Sequence, residues 1–79
     1  MATLIKADGT IVKDIVLKGL EHKQELVGGW IETHFTRDKV FIFNEEGLLL
    51  SLPHNNKASE ELGGDLVGDV IIASHDEIT

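Results

Sequence analysis

Trp30-Ile31-Glu32-Thr33-His34-Phe35-Thr36-Arg37-Asp38-Lys39-Val40-Phe41-Ile42-Phe43 is the stretch that decides the fold. Strand alternation sends Ile31, Thr33 and Phe35 to one face and Trp30, Glu32 and His34 to the other. Arg37-Asp38 interrupts the pattern as a turn. Lys39 to Phe43 then resumes it as a second strand whose last four residues are apolar on both faces. In an antiparallel sheet, a strand of that kind has both of its sides covered.

Working outward, Leu4 to Lys6 and Thr10 to Val16 flank Ala7-Asp8-Gly9, a hairpin signal with a glycine free to take positive φ. Leu20, Lys23, Gln24 and Val27 share one helical face, and Gly28-Gly29 supplies a left-handed stop. On the far side, Asn44-Glu45-Glu46-Gly47 predicts a second hairpin leading into a strand over Leu48 to Leu52, ended by Pro53. Asn55 or Asn56 caps a short helix over Lys57 to Leu62, Gly63-Gly64 closes it, and Leu66 to Ala73 forms the last strand. The whole predicts one α+β domain over residues 1–79, a mainly antiparallel sheet of about six short strands with two short helices. Because both halves run strand, acidic-Gly turn, strand, helix ending in Gly-Gly, strand, a pseudo-duplicated ββαβ unit is one reading of the plan.

At 79 residues the chain removes only about 60% of its unfolded surface from water. Small domains compensate with disulfides, metals or self-association, and the sequence has no cysteine. A homo-oligomer is therefore expected, covering the outer face of the sheet with another copy. The missing cysteines and the early turn at Asp8-Gly9 also predict a cytoplasmic protein without a secretory leader. No apolar run exceeds four residues, so no membrane span is expected.

The net charge of −7 is unevenly spread. Residues 1–39 balance six acids with six bases, whereas residues 40–79 carry eight acids and Lys57 alone. Such a field repels phosphate backbones and argues against direct nucleic-acid binding. It suits a basic partner, or simply keeps a solvated face soluble.

Catalytic signatures are absent from the sequence. Ser74-His75-Asp76 holds triad residue types, but sequence neighbours on an extended chain point apart. Metalloprotease, P-loop and dinucleotide-loop motifs do not occur. His22, His34, His54 and His75 form no ligand-spaced pair, so no metal or cofactor is expected. Glu45 and Glu46 belong to a turn. The chain reads as a binding protein rather than an enzyme.

Two groups are binding candidates. The face of Trp30, Glu32 and His34, with Arg37 and Lys39 at the following turn, offers an aromatic plate beside cations for a base and a phosphate. The alternative is that Trp30 packs in a core or a subunit interface. Pro53-His54-Asn55-Asn56-Lys57 is a polar loop entering a helix, where backbone N–H groups and Lys57 attract an anion. Its alternative is ordinary capping.

Val27-Gly28-Gly29-Trp30-Ile31-Glu32, Phe43-Asn44-Glu45-Glu46-Gly47, Leu52-Pro53-His54-Asn55-Asn56-Lys57-Ala58-Ser59 and Leu66-Val67-Gly68-Asp69-Val70-Ile71-Ile72 follow one another in order. Over residues 20–73 this series resembles an uncharacterised small-domain family of phages, plasmids and actinobacteria, patterned V-G-G-x-I-E, N-E-[ED]-G, L-P-x-N-x-x-A-S and V-G-D-V. The resemblance implies a setting, with no catalytic residue to carry over. In that setting, the expected function is an oligomer in the host cytoplasm that sequesters a nucleotide-type signal of host immunity. Trp30 would stack, Arg37, Lys39 or Lys57 would hold phosphate, and Asn44, Asn55 or Asn56 would read base or ribose edges, with His34 and His54 beside them. The alternatives are an acidic protein that inhibits a basic host protein, as a nucleic-acid mimic, and a structural or regulatory subunit.

Overall fold

The hairpin read first from the sequence forms one edge of the sheet. The computed structural model describes residues 1–78. The order of its elements is β1 (Ala2–Ile5), β2 (Ile11–Ile15), α1 (Leu20–Val27), β3 (Ile31–Phe35), β4 (Val40–Asn44), α2 (Asn56–Leu62) and β5 (Val70–Ala73), followed by a 3₁₀ turn at His75–Glu77. The five strands lie in the order β2-β1-β5-β4-β3, and every neighbouring pair is antiparallel.

Local chemistry sets the joints. The first hairpin closes with Gly9 N–H donating to Lys6 O at 2.9 Å, while Asp8 Oδ1 accepts the Thr10 N–H at 2.8 Å. That backbone hydrogen bond holds the Asp8 carboxyl below its usual range. Both helices stop alike: Gly28 N–H donates to Gln24 O and Gly63 N–H to Ser59 O, each at 2.8 Å. Both glycines are left-handed, at φ 80° and 81°, where a Cβ would be strained.

Each face of the sheet carries one helix. On one, Val27 of α1 packs with Ala2, Leu4, Val40, Ile42, Ile71 and Ala73. On the other, Ala58 of α2 and Leu66 pack with Ile5, Phe41 and Val70. The chain thus covers both sides of β4 by itself, and Phe41 is only 1% exposed. Cover is uneven, however. Helix α2 has seven residues and is about 10 Å long, against a five-stranded sheet about 19 Å across.

Six strands were expected and five form among the described residues. Leu48 to Leu52 makes turns instead, with Leu50 N–H donating to Glu46 O at 2.9 Å and Leu52 N–H to Gly47 O at 3.0 Å. The physical reason lies in the sheet order: β3 and β5 already occupy both edges of β4, so a further hairpin strand has no ladder to join. Leu48 and Leu49 are left 83% exposed. The last strand is also shorter than expected. Left-handed Gly68 interrupts it, and Val67 makes only an isolated bridge to His54. No helix among the described residues is long and apolar enough to cross a membrane.

Candidate binding site

The nine residues singled out from the sequence fall into separate places. Trp30 immediately precedes β3 and is 64% exposed, so the indole is not in the core. Its carbonyl accepts the Glu45 N–H at 2.8 Å. His34 lies within β3, and Arg37 lies in the turn beyond it. A strand's length, about 20 Å at its usual rise, separates Trp30 from Arg37. Within one chain the indole and the guanidinium therefore do not converge.

Two of the asparagines are committed to the backbone. Asn44 is buried, with Oδ1 accepting the Glu46 N–H at 2.8 Å and Nδ2 directed at Val27 O at 3.4 Å. Asn55, 1% exposed, caps α2 by accepting the Ala58 N–H at 3.1 Å. Its Nδ2 donates to Ile5 O and Gly68 O, both at 2.8 Å. One N–H of the α2 N-terminus is thereby taken by the chain itself. His54 and Asn56 bond to each other, Nδ1 to Oδ1, at 2.7 Å on the surface.

The remaining two residues, Lys39 and Lys57, lead to a feature that was not anticipated. Where α2 stops short, a trough of about 450 Å³ opens over Thr3, Ile5, Ile11 and Ile72, with Lys13 and Lys39 on its walls. A second hollow shares Ile5, Ile11 and Glu61 with it and adds Lys57 and Glu60. Three of the chain's seven bases therefore border one apolar floor, together with the carboxylates of Asp38, Glu60, Glu61 and Glu77. Lys39 Nζ meets Glu61 Oε2 at 3.0 Å, an exposed pair of the kind that contributes little and yields readily to another anion. Among the described residues, Lys13 makes no ion pair. The signal in the sequence was the i, i+2 spacing of Ile11 with Lys13 and of Lys39 with Phe41. It places each lysine on an apolar strand face, but only the sheet order brings the two strands to one side of α2.

Elsewhere the polar groups serve the fold. Ser74 caps the 3₁₀ turn through Glu77, and His75 Nε2 donates to Thr36 O at 2.8 Å, so neither is poised as a nucleophile and its base. Among the described residues, no three His, Asp or Glu side chains are grouped to hold a metal ion.

Fold and site together define a small five-stranded α+β module with one half-open sheet face. The chain belongs to the DUF3846 family, a domain of unknown function, whose model matches residues 1–79. Neither a curated protein nor a solved structure matches it.

Proposed function

We propose that this protein is a non-enzymatic binding protein that captures a small amphipathic anion of the nucleotide type on the open half of its sheet. The observation that carries this reading is an apolar floor bordered by Lys13, Lys39 and Lys57, where Lys13 makes no ion pair among the described residues and the carboxylates of Asp38, Glu60, Glu61 and Glu77 complete the rim. A planar base can lie over Ile5, Ile11 and Ile72 while the lysines hold phosphate, as point charges do. The trough's volume falls in the range of small-molecule sites. In a phage or mobile-element setting, such capture would sequester a signal of host immunity in the host cytoplasm. The matching glycine stops at Gly28 and Gly63 fit a pseudo-duplicated plan in which the second half runs β4-α2-β5, without the strand expected over Leu48 to Leu52.

Titration calorimetry against linear and cyclic nucleotides tests the reading. Binding should be lost in Lys13→Glu and Lys57→Glu and retained in Trp30→Ala. No heat from any member of the panel would overturn it.

A second reading is favoured by another hollow, where Glu32, Glu45 and Asp65 surround Phe43, Leu48 and Val67. Carboxylates around exposed leucine suit a basic, partly apolar segment of a host protein, which the chain would inhibit. Capture by that route should weaken steeply with salt. Salt-insensitive binding would exclude it.

A further inference from the structure

The sheet has two edges, and they are built differently. Strand β2 is blunted: its register against β1 shifts between Ala2 and Leu4, and Asp14 sits at φ 61°. Bulges and edge lysines such as Lys13 are the usual protection of an edge strand. Strand β3 has neither proline, lysine nor bulge, and pairs with β4 in unbroken register over five residues. Its outer edge is therefore a flat template for another strand.

Hydrogen bonding fixes which residues face outward. Glu45 N–H donates to Trp30 O and Thr36 N–H to Lys39 O, so the even-numbered residues bond inward to β4. Ile31, Thr33 and Phe35 then direct their peptide groups outward. An antiparallel strand uses all three only when Thr33 lies on a two-fold axis. That register sets Ile31 opposite Phe35, Thr33 opposite Thr33, and Glu32 opposite His34, with the last pair made twice. The strand Ile-Glu-Thr-His-Phe is complementary to itself, setting an acceptor carboxylate against an imidazole and apolar residue against apolar residue. Phe35, 56% exposed in the single chain, gains an apolar partner.

We propose that two copies of this chain join β3 to β3 about a two-fold axis at Thr33, forming a continuous ten-stranded antiparallel sheet. The same register brings Trp30 alongside Thr36 of the second copy, one residue from its Arg37. The backbone segments that carry Trp30 and Arg37, a strand's length apart in a single chain, thus approach each other across the axis. The proposal stands independently of the trough and its ligand.

Sedimentation velocity from micromolar to about 1 mM, a span that covers weak association, tests it. The chain should shift from monomer to dimer with rising concentration. Glu32→Lys should weaken dimerisation by roughly tenfold through the two lost pairs. The double variant Glu32→Lys/His34→Glu should restore it, and an equal mixture of the two single variants should form heterodimers. Thr33→Pro removes an outward N–H and should abolish pairing, with circular dichroism reporting whether the fold survives. A monomer throughout the range, a dimer indifferent to Glu32→Lys, or a β3 edge that pairs only with a different protein would each overturn the proposal.

Discussion

Asn55 Nδ2 donates to the carbonyl of Ile5 at 2.8 Å, across 50 residues of sequence. With its second bond to Gly68 O and its cap on Ala58 N–H, this one side chain ties the end of β1, the approach to β5 and the start of α2 together. A cap needs only an acceptor, so Asp at this position would cap as well as Asn. Two buried carbonyls need a donor, and a carboxylate supplies none. Asn55→Asp should therefore destabilise the chain by roughly 2–4 kcal/mol. Urea denaturation at neutral pH checks this, and an unchanged midpoint would reduce Asn55 to a simple cap.

What the sequence makes legible here is local, and what it hides depends on sheet order. Asn55 as a cap, Gly28 and Gly63 as stops, and the turn at Asp8-Gly9 all follow from interactions within a few residues. The strand expected at Leu48–Leu52 fails because β5 takes the place beside β4, a fact with no local signature. The same insertion brings Lys13 of β2 and Lys39 before β4 onto the walls of one trough. Trp30 and Arg37, by contrast, look close in sequence but are held apart by the extended strand between them.

Coverage of both faces of β4 predicts an asymmetry between two phenylalanines. Phe41 packs beneath α2 with Ile5, Ala58 and Val70, whereas Phe35 on the edge strand is largely in water. Phe41→Ala should cost about 3–5 kcal/mol, a large share of the stability of so small a domain. Phe35→Ala should cost the monomer only about 0.5–1.5 kcal/mol, its ring lying 5.8 Å from that of His75. Thermal unfolding at dilute concentration measures both. Equal losses would mean that Phe35 is also packed.

Acid should remove one stabilising contact near the end of the described chain. Glu77 Oε1 accepts the backbone N–H of Ser74 at 3.0 Å and its hydroxyl at 3.1 Å, and Oε2 lies 3.7 Å from the Met1 ammonium. The Ser74 amide first, then the hydroxyl and the ammonium, hold the carboxyl below its ordinary value of 4.5. A carboxylate shifted downward on folding stabilises fully above its unfolded value and loses that contribution as pH falls through the folded one. Glu77→Gln should thus be less stable than the parent chain at neutral pH, and the gap should narrow below pH 4.5. A gap independent of pH would place the effect in packing rather than in charge.

The lone tryptophan reports directly on its surroundings. With the Trp30 indole 64% exposed, emission from dilute protein should resemble that of an indole in water and be quenched readily by iodide. Trp30→Ala should leave stability within about 0.5 kcal/mol, since the indole is not among the side chains packed against either core cluster. Protection from iodide at dilution, together with a strongly destabilised alanine variant, would mean that the indole is buried in the single chain. Protection that grows only with protein concentration would instead follow from its approach to a second copy.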